Sequence, residues 1–246
     1  MTPNCLTLLC ALSLFAAVQV PSTSALWFDP GEHILELTTA DQEVIVDKHN
    51  EVRRNVKPTA SNMLKMSWSS EATLNAQKWA NTCSMTHSKA KQRKIPGHNC
   101  GENLFMSTHK NGWDEVVQAW YDEVRDWKYG VGPIHGREVG HFTQVDWYRS
   151  NLVGCAVAHC PEAETFNYFF VCQYCPPGNY QFRQPYKKGP SCADCPDSCD
   201  DRLCTNACEF MDKYRNCPGL AKKYGCGHKV VASWCPASCF CSDKIS

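Results

Sequence analysis

Cysteine is the residue type with the greatest capacity for chemistry in this chain, and its distribution is uneven. The 246 residues include 18 cysteines: two before residue 26, six between residues 83 and 175, and ten in the last 55 residues. Cysteines at this density form disulfides outside a cell, whereas inside a cell they indicate metal binding or redox chemistry. The compartment therefore decides what these sulfur atoms do.

The N-terminal segment indicates export. Residues 5–20 form an apolar run too short to span a bilayer, and the small residues Thr23, Ser24 and Ala25 that follow suit a signal-peptidase site. A buried apolar segment is the alternative interpretation. We expect residues 1–25 to be a cleaved signal peptide, because its removal leaves sixteen cysteines, an even number that can pair completely.

Charge and hydropathy narrow the function classes. No later segment has the ~20 consecutive apolar residues that a membrane helix needs, so the sequence predicts an exported chain without a transmembrane segment. The 25 basic and 25 acidic residues balance, and the basic ones are dispersed. The electrostatic pattern of a nucleic-acid-binding protein is therefore missing, and we expect no nucleic-acid partner.

Three helices are predicted ahead of residue 141. The first covers Thr39–Val56, opens with Thr39 and Gln42 in a capping-box pattern, and ends before Pro58. The second begins at Ser69, and both it and the third carry apolar residues at helical spacing. These apolar faces comprise Ala72, Ala76, Trp79, Ala80 and Cys83 in the second helix, and Trp113, Val116, Val117, Trp120 and Val124 in the third.

Strands are predicted after His141. Residues 152–159 and 167–174 are rich in Val, Phe, Tyr and Cys and flank a turn-like Cys160-Pro161, which is typical of antiparallel strands. Helices followed by a sheet predict an α+β sandwich.

Four prolines and two glycines between Pro176 and Ser191 indicate a linker, and the tail beyond it has too few apolar residues for a core without crosslinks.

Three motifs give the chain a family resemblance. They are GHFTQVDW at residues 140–147, CGENL at residues 100–104 and YFFVCQYCP at residues 168–176. Together they resemble the CAP superfamily, and the spacing of the ten tail cysteines narrows this to the cysteine-rich secretory proteins. The resemblance implies an α-β-α sandwich CAP domain at 26–175, a linker and disulfide hinge at 176–207, and a toxin-like cysteine-rich helical knot at 208–241.

The same resemblance implies a disulfide pairing, which the residues alone leave open. Its body pairs are Cys83 with Cys160, Cys100 with Cys175, and Cys155 with Cys172. Its tail pairs are Cys192 with Cys199, Cys195 with Cys204, Cys208 with Cys241, Cys217 with Cys235, and Cys226 with Cys239. The last three form the knot of sea-anemone potassium-channel toxins.

The resemblance also implies a cleft of two histidines and two carboxylates at His87, Glu102, Glu123 and His141. Neutral imidazoles are good zinc ligands, and carboxylates can complete the shell or hold a bound water, so we expect modest Zn²⁺ affinity that falls as imidazole is protonated. The same groups could serve a metal-dependent hydrolase. The sequence has no His-Glu-x-x-His or Gly-x-Ser-x-Gly element, and we expect no catalytic residues.

The tail carries a surplus of three positive charges between Cys208 and Cys241, which suits the acidic vestibule of a cation channel. We expect channel binding through Lys222, Lys223, Tyr224 and Lys229. One departure limits the toxin likeness: the toxins place tyrosine after the lysine, whereas Val230 follows Lys229 here. The alternative interpretation is that the tail is only a disulfide-crosslinked cap on the larger domain and binds no partner.

A second departure is Asp146, which stands where the family motif usually has an apolar residue. A buried, unpaired acid is costly, so we expect Asp146 to be exposed, with pairing to Arg149 or a place in the metal cleft as alternatives.

Together, these features predict a secreted, non-enzymatic protein that regulates an ion channel. Adhesion to a sperm or egg surface in fertilization is the other function that the resemblance implies, with venom and defence as further settings.

Overall fold

The computed structural model describes residues 33–179 and 184–246, so the predicted signal peptide lies outside the described residues. The α-helices are α1 (Thr39–Arg54), α2 (Ser70–Ala80), α3 (Trp113–Tyr121), α4 (Gly140–Val145), α5 (Cys217–Tyr224), α6 (Lys229–Trp234) and α7 (Pro236–Phe240). The main strands are β1 (Ile34–Leu35), β2 (Ser67–Trp68), β5 (Gly101–Ser107), β8 (Leu152–His159) and β9 (Tyr168–Cys175). Three short hairpins comprise β3 (Lys94–Ile95) with β4 (His98–Asn99), β6 (Trp127–Lys128) with β7 (Gly132–Pro133), and β10 (Cys199–Asp200) with β11 (Leu203–Cys204).

The central sheet has the order β1-β8-β9-β5, and β2 adds to β8 in parallel. Strands β8 and β9 are antiparallel, with Leu152 opposite Cys175 and His159 opposite Tyr168, so the two predicted strands are confirmed to within one residue. Strand β5 pairs with β9 in the same sense. The CGENL motif opens β5, and the sequence did not predict a strand there because Gly and Asn interrupt its apolar pattern.

Helices cover both faces of this sheet. The side chains of β8 alternate: Val153 and Val157 pack with α1 and α3 in one cluster, whereas Ala156 and Ala158 pack with α2 in another. Helix α2 lies so close to β8 that a Cβ on Gly154 would be 2.3 Å from the backbone nitrogen of Thr73. The result is the predicted α-β-α sandwich.

The N-cap of helix α1 lies one residue earlier than the sequence suggests. Thr38 is the N-cap, its hydroxyl accepts from the backbone N–H of Asp41 at 3.1 Å, and Asp41 Oδ2 accepts from the Thr38 backbone N–H at 2.9 Å. The predicted Thr39–Gln42 box was therefore wrong, since Thr39 already lies in the first turn. The helix also ends at Arg54, two residues before the predicted end.

The third helix is shorter than predicted. Helix α3 ends at Tyr121, and residues Asp122–Asp126 continue as a 3-10 helix. Val124 and Glu123 both lie in this 3-10 segment, and Val124 is only partly buried. The tighter winding rotates these side chains away from the apolar face that periodicity assigns to Val124.

Part of the predicted linker packs on the body. Within residues 184–191, Tyr186 is buried against Val56, Met63 and Leu203, and the backbone N–H of Ser61 donates to the carbonyl of Lys187 at 2.8 Å. This part of the predicted linker is therefore anchored to the body by a buried tyrosine and a backbone hydrogen bond.

Eight disulfides crosslink the described residues, and they are the same eight pairs that the resemblance implies. They join Cys83 to Cys160, Cys100 to Cys175, Cys155 to Cys172, Cys192 to Cys199, Cys195 to Cys204, Cys208 to Cys241, Cys217 to Cys235, and Cys226 to Cys239. In the tail these sulfur atoms form much of the interior: Cys208, Ala237 and Cys241 make one small cluster, and Cys217, Val231 and Cys235 make another.

None of the helices in the described parts of the chain has the length and apolar character to cross a membrane.

Candidate metal cleft and cationic tail surface

A cavity of about 340 Å³ opens beside the start of α4. His87, Glu102 and His141 all line it. His87 lies in the loop after α2, Glu102 is the second residue of β5, and His141 is the second residue of α4. Glu123 does not line the cavity and lies behind His141 in the 3-10 segment. The structure therefore brings three of the four predicted residues to the cavity wall.

Glu102 is the most heavily hydrogen-bonded group of the cleft. Its side chain is fully buried, Oε1 lies 2.9 Å from His87 Nδ1, and Oε2 accepts from the Ser88 hydroxyl at 2.7 Å. The Ser88 backbone N–H and Arg93 Nη1 donate to Oε1, and Gln173 Nε2 donates to Oε2. Every donor that surrounds Glu102 thus favours its ionised form.

Two opposing effects act on the pKa of Glu102. Burial raises the pKa, but the hydrogen bonds from His87 and Ser88, together with the positive charge of Arg93, outweigh burial and hold the pKa below its usual range. Glu102 is therefore a carboxylate at neutral pH. It fixes His87 through Nδ1 and leaves Nε2 as the nitrogen that can bind a metal.

Glu123 holds His141 in a similar way. Oε1 of Glu123 lies 2.6 Å from His141 Nδ1, while Oε2 accepts from the backbone N–H groups of His141 and Phe142 at 2.9 and 3.0 Å. The carboxylate therefore caps the N-terminus of α4 and orients the ring that α4 carries. Trp120 stacks on this ring, with centroids 6.4 Å apart and an interplanar angle of 18°.

Glu102 and Glu123 each orient one imidazole, and the ligand atoms of these two carboxylates and two histidines do not form one compact cluster. Across residues 33–179 and 184–246, one group of three or more His, Cys, Asp or Glu has its ligand atoms within 4.8 Å of one another, and it is Cys192, Cys195 and Cys204. Those sulfurs are bound in disulfides. Each carboxylate instead hydrogen-bonds the Nδ1 of one histidine, and the four-residue metal site stays a prediction.

A buried hydrogen-bond chain behind the cleft escaped the sequence analysis. The His49 Nδ1–H donates to the Ile45 carbonyl at 2.7 Å, so Nε2 accepts from the Tyr174 hydroxyl at 2.9 Å. Asn103 Nδ2 then donates to the carbonyl of His141 at 3.1 Å and reaches the Tyr174 oxygen at 3.5 Å. Burial lowers the pKa of His49 to about 4, so this ring is neutral and its tautomer is fixed.

Arg53 is a second buried feature that periodicity did not reveal. The guanidinium donates to the carbonyls of Leu64, Val145, Trp147 and Tyr148 at 2.6–3.1 Å, and so ties α1 to the chain that follows α4. Burial lowers the pKa of Arg53 to about 10, which still leaves it charged at neutral pH. A single arginine in the last turn of α1 gives no sequence signal of partners more than ninety residues away.

Asp146 is fully buried, so the expectation of surface exposure was wrong. The carboxyl interacts with the charge of Arg53 on α1 and not with Arg149, yet neither oxygen has a hydrogen-bond partner among the described residues. Burial raises the pKa of Asp146 well above its usual range, against the smaller opposing effect of Arg53. The acid therefore lies buried where the family motif usually has an apolar residue, and burial favours its protonated form.

The predicted channel-binding residues surround one turn of the tail. Lys222, Lys223 and Tyr224 end α5, Lys229 begins α6, and all four side chains are exposed. The rings of Tyr224 and His228 have centroids 6.5 Å apart, which brings the end of α5 next to the start of α6. Lys223 Nζ lies 5.0 Å from the Tyr224 centroid, so a lysine–tyrosine pair exists here although Val230 follows Lys229.

An α-β-α sandwich with a two-histidine cleft and a disulfide-crosslinked helical tail defines the class of this protein. The model of the "CAP: Cysteine-rich secretory protein family" matches residues 46–174, and the model named "Crisp" matches residues 192–246. The chain therefore belongs to the cysteine-rich secretory protein family, and it is a secreted, cysteine-rich protein.

Individual relatives agree with this membership. Cysteine-rich secretory protein 2 of Homo sapiens is 47% identical over 93% of this chain and 95% of its own length, and cysteine-rich secretory protein 3 of Equus caballus is 49% identical over 98% and 100%. Among solved structures, that of NaASP2 with Zn²⁺ is 30% identical with a TM-score of 0.58, and covers 72% of this chain and 98% of that chain. The structure of BmVAL-1 is 26% identical with the same TM-score and covers 70% and 97%.

Proposed function

We propose that this protein is an interaction protein that regulates a cation channel through its tail, residues 208–241, without enzymatic turnover. Its body at 26–175 and hinge at 176–207 hold that tail. The observation that carries the proposal is the exposed cationic surface formed by Lys222, Lys223, Tyr224 and Lys229 around one disulfide-bound turn. A fixed cationic surface complements the acidic outer mouth of a cation channel, where the local potential steers and holds positive groups.

Rigidity supports this proposal. The turn between α5 and α6 contains Cys226, which is bonded to Cys239, and α5 is bonded to the end of α6 through Cys217 and Cys235. Binding therefore costs little backbone ordering, because the lysines are already placed. The tyrosine lies before the turn and not directly after Lys229, so we propose modulation of the channel in preference to insertion of a toxin-like lysine–tyrosine pair into a potassium pore.

The test is to apply the full-length oxidised protein to the outside of cells that express calcium, potassium or cyclic-nucleotide-gated channels. We expect a saturable, reversible change of current for at least one channel class. No effect on any of these currents would contradict the proposal. Saturable attachment to sperm or egg surfaces without a change of current would instead favour the adhesion function.

We further propose that the cleft binds a divalent metal such as Zn²⁺ with modest affinity. The donor set fits, because His87 and His141 each have Nδ1 bound to a carboxylate and Nε2 left for a metal. The neighbour NaASP2, whose structure contains Zn²⁺, is 30% identical to this chain. Two protein nitrogens supply fewer ligands than the three or four of a tight zinc site, which accounts for the modest affinity.

Binding without turnover is favoured by the position of Ser88. Its hydroxyl donates to Glu102 Oε2, and its side chain lies buried next to a carboxylate and not within a serine–imidazole pair. When bound, a zinc ion would supply Lewis acidity, and the residues of this chain would orient its ligands. Peptidase or esterase activity that Glu102→Gln abolishes would contradict this part of the proposal.

A further inference from the structure

Most of the strongly exposed large hydrophobic side chains of the described residues lie in the tail. Nine large hydrophobic side chains of the described residues are strongly exposed, and six of them belong to residues 208–241. Five of these six are aromatic, and four of the five pair with one another: Phe210, Tyr214, Trp234 and Phe240, with exposures of 44%, 50%, 42% and 55%. We call these four residues the aromatic ridge.

The ridge follows one seam between two segments of the tail. Residues 210–214 run alongside residues 234–240 in the opposite direction, since Phe210 pairs with Phe240 at a centroid distance of 5.8 Å and Tyr214 pairs with Trp234 at 5.1 Å. Both pairs have edge-to-face geometry. The Lys213 N–H donates to the Trp234 carbonyl at 2.8 Å, so the backbones of the two segments are also joined.

Disulfides fix both ends of this seam. Cys208 and Cys241 flank the phenylalanine pair and are bonded to each other, while Cys217 and Cys235 lie next to the Tyr214–Trp234 pair and are bonded to each other. The four rings are therefore exposed on a rigid frame. Exposure of this kind indicates a contact surface, because monomeric proteins rarely leave contiguous apolar patches open to water.

The charges beside the ridge indicate its partner. Asp212 lies between the two ring pairs, but its carboxylate accepts from the backbone N–H and hydroxyl of Ser238 and is satisfied within the seam. Lys213 and Arg215 flank Tyr214 and are exposed, whereas the exposed acid Glu209 lies at the other end of the seam, beside Phe210. A ridge of Trp, Tyr and Phe beside Lys and Arg matches the composition of surfaces that lie at the interface between a membrane and water.

We propose that the aromatic ridge binds the surface of an anionic phospholipid membrane, with the rings at the level of the headgroups and Lys213 and Arg215 on lipid phosphates. A second copy of the chain is a poorer partner, because the tail carries a surplus of three positive charges that a symmetric contact would bring together. This inference is independent of the channel proposal, whose residues lie on α5 and α6 around Cys226.

The test is sedimentation of the full-length protein with vesicles of phosphatidylcholine alone or with one fifth phosphatidylserine, in ~0.1 M salt. We expect binding to the anionic vesicles and a loss of at least about tenfold in partition for Trp234→Ser with Phe240→Ser. The matched control Val44→Ser with Leu74→Ser replaces two exposed apolar side chains on the body and should change the partition little. Lys213→Gln with Arg215→Gln should remove the preference for phosphatidylserine.

A conservative variant protects the test against misfolding. Trp234→Phe keeps an aromatic ring and should still bind, but quenching of its fluorescence by bromine-labelled lipid should be much weaker than in the wild type. Absence of vesicle binding by the wild type, equal loss in the Val44→Ser with Leu74→Ser control, or unchanged quenching in Trp234→Phe would overturn the proposal. So would sedimentation showing a wild-type dimer that the ridge substitutions convert to a monomer.

Discussion

Glu123 holds His141 through both its ring and its backbone. Oε1 lies 2.6 Å from Nδ1, and Oε2 accepts the backbone N–H of the same residue at 2.9 Å. One carboxylate outside the cavity thereby sets the position of α4, the tautomer of the imidazole and the direction of Nε2. In the proposed metal cleft, Glu123 would position His141 as a ligand and would not bind the metal itself.

The first prediction concerns this positioning. Glu123→Gln should weaken Zn²⁺ binding by about 10- to 100-fold, since an amide orients the imidazole less well than a carboxylate does and does not raise its basicity. Isothermal titration calorimetry measures the change. Glu115→Gln is the matched control, because Glu115 accepts the N–H of Gly112 at the start of α3 but is remote from the cleft. Equal affinity in the wild type and Glu123→Gln would contradict the assignment.

The second prediction uses two neighbouring arginines. Arg53→Met should lower the free energy of unfolding by at least about 3 kcal/mol, because it removes all the hydrogen bonds that the buried guanidinium donates to the carbonyls of four residues. Arg54→Met should cost about 0–1 kcal/mol, since Arg54 makes a surface ion pair with Asp201. Urea unfolding with disulfides intact compares the two. Similar losses would show that the buried contacts of Arg53 contribute little.

The third prediction concerns Asp146. Asp146→Val should raise the free energy of unfolding at pH 7 by about 1–3 kcal/mol, because it removes a buried carboxyl whose oxygens have no hydrogen-bond partner in the described residues. Asp146→Asn, which keeps a buried polar group, should give no such gain.

The pH dependence of this gain has a defined sign. Because burial raises the pKa of Asp146 in the folded state, the folded protein keeps a proton that the unfolded chain releases above ~3.9. The wild type thus loses stability relative to Asp146→Val as the pH rises from ~4 towards 7. Urea unfolding at several pH values measures this difference, and a gain that shrinks over that range would refute the explanation.

The fourth prediction separates the two modules by their crosslinks. Mild reductant with a protease should cut residues 208–241 before the body, since the tail interior consists largely of cysteines whereas the body buries two apolar clusters around its sheet. Mass spectrometry of the fragments over time gives the order of cleavage. Equal cleavage rates in both modules would show that the tail does not depend on its disulfides.

The sequence predicted those features that local patterns encode. Helix α2 followed from apolar periodicity, strands β8 and β9 followed from their composition and the turn between them, and the family resemblance led to His87 and His141. Periodicity could not show that Arg53 reaches carbonyls near Trp147, or that Asp146 is buried where it interacts with Arg53. Those contacts join segments that are far apart in the chain. The same limit applies to Glu123, whose function depends on the backbone of α4.

The most direct test of channel regulation compares two pairs of lysines by electrophysiology. Lys222→Glu with Lys223→Glu reverses charge on the tail surface, whereas Lys91→Glu with Lys94→Glu makes the same change of charge on the body. The account predicts that the tail variant loses most of the effect of the wild type on the channel current and that the body variant retains it. Equal effects of the two variants, or an undiminished effect of the tail variant, would contradict the account.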